Sequence, residues 1–390
     1  MNPAGSAPYG GDPPVPAQGS AVRYIGLMSG TSLDGIDGVV AEVSAAHPLR
    51  VTHHRALPFS PELRSELLAL NAAGDDELHR AALAGNALSR RYADAVAALL
   101  ADAGLAPSAI RAIGAHGQTV RHRPQEFDGT GYTLQLQNPS LLAERTGIPV
   151  VADFRSRDLA AGGQGAPLVP AFHAQVFGRP GRTVGVLNLG GIANLSVLAA
   201  DGRIAGFDCG PGNVLLDHWC RAHTGAPFDR DGAWAAGGRA LPELLARLRA
   251  DPYFGRQPPK STGRDLFHAD WLDARLASHG AAVAPVDVQA TLAALTATAC
   301  ADDVRRHAPG CASLVVCGGG ALNGELMRRL QRALPEATVE SSDRHGLPPL
   351  QVEAAAFAWL AHRMLQGLPG SLPEVTGARG PRVLGALYPA

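Results

Sequence analysis

One arrangement occurs twice in this chain of 390 residues, and it narrows the folds open to it. Residues 22–28, 36–43 and 49–57 are apolar, strand-like runs with short connections, and residues 183–189, 192–198 and 203–208 repeat that order. Consecutive short strands of this kind predict antiparallel meanders. Each meander precedes an alternation of helical and strand-like segments. In the first half, Ser60-Pro61-Glu62 opens a helix with proline at its first position and an acid in its first turn. A second helical pattern covers 77–103 and stops at Gly104; strands at 109–115 and 148–154 then enclose an alternating run at 132–137 and a short helix at 139–146. In the second half, Asn213 is placed to cap a helix at 214–223. Helices at 286–307, 324–334 and 350–365 follow, with strands at 313–317 and 338–340. The expectation is a duplicated α/β domain whose halves enclose a cleft, a common place for ligands.

The first connection of each half is glycine-punctuated. In the first half it is Gly30-Thr31-Ser32-Leu33-Asp34-Gly35-Ile36-Asp37. Glycines there let successive N–H groups converge on an anion. Hydroxyls on Thr31 and Ser32 add donors, and Asp34 and Asp37 suit a magnesium ion or an oriented water. For a lone loop of this composition, an ordinary hairpin is the simpler reading. The second half has Asn188-Leu-Gly-Gly-Ile-Ala-Asn194, with Gly190 and Gly191 at its tip, and Gly-Gly is itself a routine hairpin connection. A third cluster, Gly318-Gly319-Gly320 with Asn323, lies between a buried-type strand and a helix, where a base and ribose can lie against backbone. Close helix–strand packing explains that cluster as well. Neither a P-loop nor a G-x-G-x-x-G fingerprint is present, since Gly35 is followed by Ile36.

Charge and cysteine content remove several classes. A formal net charge of −1 gives no bulk drive toward nucleic acid. Five cysteines without a C-x-x-C pair suggest neither a disulfide framework nor a zinc knuckle, and are expected as reduced thiols in a cytoplasmic protein. Residues 1–20, rich in Pro, Gly, Ala and Ser, have no basic residue and no apolar core, and are expected as a disordered tail. No apolar run is long enough for a membrane span.

Taken together, the three glycine clusters suggest a nucleotide cleft of the actin, hexokinase and sugar-kinase type, a duplicated ribonuclease-H-like α/β fold of two domains. Seven segments then carry a more specific resemblance: Met28-Ser-Gly-Thr-Ser-Leu-Asp-Gly-Ile-Asp37, Ala115-His-Gly-Gln-Thr-Val120, Ala152-Asp-Phe-Arg155, Gly162-Gly-Gln-Gly-Ala-Pro-Leu-Val-Pro-Ala-Phe-His173, Asn188-Leu-Gly-Gly-Ile-Ala-Asn194, Gly206-Phe-Asp-Cys-Gly-Pro-Gly-Asn213 and Gln351-Val-Glu-Ala-Ala-Ala-Phe357. In this order they resemble the anhydro-N-acetylmuramic acid kinase family of bacterial cell-wall recycling. The resemblance spans nearly everything after residue 20. It implies an ATP- and Mg2+-dependent enzyme that opens the 1,6-anhydro ring of 1,6-anhydro-N-acetylmuramic acid with water and phosphorylates the released O6. Residues 21–155, completed by 375–390, are expected as one subdomain and 156–374 as the other. A homodimer without nucleic-acid or membrane partners is also implied.

The resemblance assigns roles residue by residue. Asp208 looks like the base that activates water; on spacing alone, an Asp before Cys-Gly-Pro-Gly reads as a backbone cap. Glu353, in the first turn of a helix after Pro348-Pro349, is the second catalytic carboxylate, its ionised form favoured by the helix dipole. Arg155 suits the lactyl carboxylate of a muramic acid, although a surface ion network with Asp158 would use it equally. His116, Gln118 and Asn194 join Arg155 as expected sugar contacts, and Asp34 is the expected metal contact. Cys209 departs from the pattern, since many members carry a hydroxyl there. That departure bears on a hydrogen bond beside Asp208 and leaves the charged groups in place. Two other readings stay open: a kinase of the same fold acting on another carbohydrate, and a non-enzymatic actin-like nucleotide switch.

Overall fold

The computed structural model describes residues 21–30, 32–44, 48–263, 266–280 and 283–390; Thr31 and the expected tail at 1–20 lie outside the described residues. The first meander is β1 (Val22–Met28), β2 (Gly35–Val43) and β3 (Arg50–Pro58), antiparallel throughout. Helices α1 (Pro61–Ala69) and α2 (Glu77–Ala103) follow, and the Ser60 hydroxyl caps α1 by accepting the Leu63 N–H at 3.3 Å. β4 (Ala112–Ala115) then pairs parallel to β1. β5 (Gln118–Pro124) and β6 (Gly131–Leu136) form a separate hairpin, and α3 (Pro139–Thr146) leads into β7 (Val150–Ala152), parallel to β4. Helices α4 (Ser156–Ala160) and α5 (Val169–Phe177) lead into the second half.

There the meander is β8 (Val184–Leu189), β9 (Ile192–Leu198) and β10 (Ile204–Pro211), followed by α6 (Val214–Thr224). Four helices come next: α7 (Ala233–Ala236), α8 (Pro242–Arg249), α9 (Ala269–His279) and α10 (Pro285–His307). β11 (Ser313–Cys317), α11 (Gly324–Ala333), β12 (Thr338–Ser341), α12 (Val352–Leu365), α13 (Pro373–Thr376) and β13 (Ala386–Tyr388) complete the chain. The sheets run β13-β7-β4-β1-β2-β3 and β12-β11-β8-β9-β10. Leaving out β13, which pairs antiparallel with β7, both have the same order and the same pattern of antiparallel meander plus two parallel strands. This is the duplicated ribonuclease-H-like arrangement of the actin and hexokinase class.

Strand alternation divides the core between the layers. On the outer face of the first sheet, Leu88, Tyr92, Val96 and Leu99 of α2 pack against Ile25, Leu27, Ile36 and Val40. Between the sheets, α5 and α12 meet Tyr24 and Val39 on one side and Val184, Val186 and Val315 on the other. Outside the second sheet, α10 and α11 cover Leu187, Leu195, Phe207 and Cys209. The backbone of α12 lies almost on the first sheet: a Cβ on Gly26 would sit 1.9 Å from the Ala354 carbonyl oxygen, and one on Gly114 would sit 2.0 Å from that of Phe357. Those two glycines therefore fix the depth of the helix that presents Glu353.

Four local expectations need correction, the first being the strand expected at 148–154, which is confined to Val150–Ala152. The strand expected to end at Asp208 continues to Pro211, with a bulge between Asp208 and Gly210. The strand expected from 109 begins at Ala112, because Pro107–Ala109 forms a 3₁₀ turn. Asn213 makes no cap on α6; its side-chain amide donates to the Leu189 carbonyl at 2.9 Å and ties the helix start to the β8–β9 turn.

Candidate active site

A cavity of about 610 Å³ opens between the halves. Its wall contains Ser32, Asp34, Gly35 and Asp37 from the first half, and Gly190, Gly191, Gly318, Gly319 and Asn323 from the second, so glycine segments from both sheets meet one space. The glycines divide by what surrounds them. A Cβ on Gly35 would lie 2.3 Å from the Leu57 carbonyl oxygen, and one on Gly318 would lie 2.3 Å from Asn188 Oδ1, so the protein's own packing excludes a side chain at both. At Gly190, Gly191 and Gly319 a Cβ would meet nothing nearer than 3.6 Å, and none has a positive φ. Their bareness leaves backbone open to the cavity, as an approaching phosphate requires.

Other expected contacts are placed differently. Leu33 and Ile36 are buried in the first-half core, so only their backbone can face a ligand. Gly30 and Gly320 are outside the cavity wall, and a Cβ on Gly320 would lie 2.5 Å from Leu189 Cβ. Asn323 reaches the wall, but its side-chain oxygen caps α11 by accepting the Leu326 N–H at 3.0 Å.

Glu353 enters the same wall from the first turn of α12. Burial pushes its carboxyl upward, the negative charge of Asp37 adds to that, and the Arg155 guanidinium opposes it. Asp37 in turn meets His54 Nε2 at 3.1 Å. Arg155 donates to the Gly165 carbonyl at 2.8 Å and to His116 Nε2 at 2.9 Å. Because arginine only donates, Nε2 of His116 accepts, and the ring proton sits on Nδ1 facing the Ser29 carbonyl at 3.3 Å. Burial, reinforced by the Arg155 charge, lowers His116 to about 3 and keeps it neutral. Burial also lowers Arg155 to about 10, with Glu353 and Asp158 acting in the opposite sense. Gln118 donates to the Gly30 carbonyl at 3.1 Å while its buried Oε1 has no partner among the described residues. His116, Gln118 and Arg155 thus form a second polar group outside the cavity wall, and Glu353 interacts electrostatically with both Arg155 and Asp37.

Asp208 also lies outside that wall. Its neighbours Phe207 and Cys209 face α10 and α11, so strand alternation sends the Asp208 side chain to the opposite face, the side on which Gly206 approaches Pro167 and Pro170. It stands beside Asn194 in register across β9 and β10. Thr262 N–H donates to its Oδ2 at 3.0 Å, and burial raises it to about 6 against the pull of that bond and of Lys260. A carboxylate titrating there is suited to general-base work near neutral pH. Cys209 faces the core with Cys300, away from the Asp208 carboxylate.

Among the described residues no three His, Cys, Asp or Glu side chains gather as a ready-made metal cage. A magnesium ion held through nucleotide phosphates needs only one or two carboxylates, and Asp34 and Asp37 in the wall supply that set. Sequence reasoning missed the α6–α9 region, which brings His218, Arg221, Phe228 and His268 to the cavity. It also missed Lys260, although the sequence marks it: Lys260 is the only lysine among 34 Lys and Arg residues.

A duplicated sheet and a cavity reached by glycine turns from both halves, with a carboxylate entering it, are the frame of the actin and hexokinase class, to which ATP-dependent sugar kinases belong. The family model for anhydro-N-acetylmuramic acid kinase matches residues 22–390. The anhydro-N-acetylmuramic acid kinase of Variovorax paradoxus is 63% identical over 372 residues, covering 94% of this chain and 99% of that relative. That of Cupriavidus pinatubonensis is 58% identical over 377 residues, covering 96% and 99%. The chain belongs to the anhydro-N-acetylmuramic acid kinase family. Two solved structures show a more distant likeness. The activator of the 2-hydroxyisocaproyl-CoA dehydratase from Clostridium difficile with bound ADPNP has a TM-score of 0.46 at 12% identity, covering 88% of this chain and 96% of that one. A ROK family glucokinase from Streptomyces griseus in complex with glucose and AMPPNP has 0.39 at 16%, covering 87% and 99%. Scores that low add nothing to the fold assignment, which rests on the strand order. No helix among the described residues is long and apolar enough to cross a membrane.

Proposed function

We propose that the protein uses ATP to convert 1,6-anhydro-N-acetylmuramic acid into N-acetylmuramic acid 6-phosphate in cytoplasmic cell-wall recycling, opening the anhydro ring and phosphorylating O6 in one site. The observation that carries the reading is the convergence of glycine turns from both halves on a cavity into which Glu353 projects, joined by charge to the Arg155–His116 pair. The lobes are taken as 21–155 with 375–390, and 156–374.

In this reading Asp208 removes a proton from water as the water oxygen bonds to the anomeric carbon. The bond from that carbon to O6 breaks, O6 attacks the γ-phosphorus of ATP, and ADP departs. Arg155, oriented by neutral His116, holds the lactyl carboxylate of the sugar. Glu353 orients the sugar between Arg155 and the phosphates, while Gly190, Gly191 and Gly319 present N–H groups to the phosphate chain. Asp34, with Asp37 beside it, would hold the magnesium ion, which when bound neutralises phosphate charge.

The test is incubation of purified protein with ATP, magnesium and the anhydro sugar in ¹⁸O-water. Label at the anomeric oxygen of a 6-phosphorylated product is expected. Phosphorylation of other sugars without label, or ATP turnover indifferent to sugar, overturns the reading.

A further inference from the structure

Asp208 is gripped by a segment far from it in sequence. β10 is the edge strand of the second sheet, and residues 253–262 run along that edge as a strap. Three hydrogen bonds join the two: Asp208 N–H to the Lys260 carbonyl at 3.1 Å, Thr262 N–H to Asp208 Oδ2 at 3.0 Å, and Tyr253 O–H to the Asp208 carbonyl at 2.8 Å. Both backbone groups and one carboxylate oxygen of Asp208 are thus fixed by the strap. The strap is fastened by Lys260, whose ammonium donates to both carboxylate oxygens of Asp303 on α10 at 3.1 and 2.8 Å. This pair is buried, with side-chain exposures of 1% and 3%. The ammonium also lies 5.6 Å from the Phe207 ring centroid and 5.3 Å from that of Tyr253.

A buried ion pair is weak evidence for a stabilising role, because removing both ions from water offsets their attraction. This chain uses arginine for every other basic side chain outside histidine, yet places its one lysine here. A compact ammonium on a flexible stem fits between two rings and a carboxylate; a planar guanidinium has a different shape and donor geometry. We infer that Lys260 is a positioning residue for the reaction, holding the strap against β10 so that the Asp208 carboxylate is held in place. The inference rests on the reading of Asp208 as the base.

The Lys260 charge favours the ionised form of the Asp208 carboxylate. On α10 the ammonium meets Asp303, which Arg306 and His307 also approach at 3.6 and 3.8 Å. The Tyr253 phenol is held protonated chiefly by burial, and the Cys209 thiol by Cys300 and burial. Removing the ammonium therefore takes away attraction for the charged form of Asp208, and the carboxyl titrates higher.

The experiment compares kcat/KM against pH for the parent, Lys260→Met, the double variant Lys260→Met with Asp303→Leu, and Asp208→Asn. The double variant replaces the pair by apolar groups and guards against unfolding from an unpaired buried charge; thermal melts and nucleotide binding establish its fold. The expected result is an acid limb moved upward by roughly one pH unit in both Lys260 variants, with kcat lower even on the alkaline plateau. Superimposable acid limbs and an unchanged plateau in the folded double variant overturn the inference. An active Asp208→Asn overturns the reading of Asp208 and this inference with it, whereas an inactive Asp208→Asn beside unmoved limbs overturns the inference alone.

Discussion

The two halves share a strand order but complete it differently. In the first, the β1–β2 connection is shaped by the chain itself: Gly35 is bare because Leu57 occupies the space, and Leu33 is anchored in the core. In the second, the β8–β9 turn has glycines that nothing in the protein crowds. The carboxylates differ in the same way. Glu353 is set on a long helix laid directly on the first sheet, whereas Asp208 stands on an edge strand and depends on the strap at 253–262. Duplication supplies the frame, and Glu353 and Asp208, both from the second half of the chain, are then placed by different local means, one against each sheet.

Substitutions can break or sharpen that contrast. The largest effect is expected at Asp208: Asp208→Asn should lower kcat by roughly 10²–10⁴-fold while the protein stays folded, with a melting temperature at pH 7 no lower than the parent's because the raised carboxyl is neutralised, checked by coupled ADP release and differential scanning calorimetry. In the parent the base form is needed, so kcat/KM should fall as pH drops through about 6. Glu353→Gln comes next, with a loss of roughly 10–10²-fold, as for a group that orients substrate. Its stability should move the other way. A carboxyl raised on folding favours the folded state below its ordinary pKa and opposes it as pH rises through the raised value. The neutral glutamine avoids that opposition, so the variant should melt above the parent at pH 7 and converge with it in acid.

Gly190→Ala and Gly191→Ala should raise KM for ATP roughly tenfold each, about 1.4 kcal/mol, with little change in melting. Gly35→Ala should instead destabilise by about 1–3 kcal/mol through overpacking, and steady-state kinetics beside thermal melts separates the two cases. The smallest effect is expected at Asp34. Asp34→Asn should raise the magnesium concentration needed for half-maximal rate while leaving the anhydro-sugar KM in place, as read from a magnesium titration.

The repeated meander was legible because strand and turn chemistry is local: β1, β9, β11, α2 and α3 fall where apolar runs, Gly104 and Pro139 place them. The bulge in β10 was not, since it depends on Asp208 being paired to Asn194 on one edge and strapped on the other. The β5–β6 hairpin hid half its length in a charged stretch, Arg121-His122-Arg123, with no apolar alternation to mark it. Site residues were legible as motif members, but their grouping was not. Arg155 meets His116 39 positions away, and Glu353 comes within the field of Asp37 because Gly26 and Gly114 let α12 descend onto the first sheet. Asn213 shows the limit of local reading: a good cap residue was recruited by the neighbouring Leu189 carbonyl instead.

The buried state of the only lysine also has a practical meaning. The folded chain exposes no lysine amine, so acylating reagents that modify most proteins over their whole surface have a single side-chain target here, and it is sealed. Acylation at Lys260 would therefore proceed only as fast as the strap lifts from the sheet edge, and mass spectrometry of that one residue would act as a clock for local opening beside Asp208.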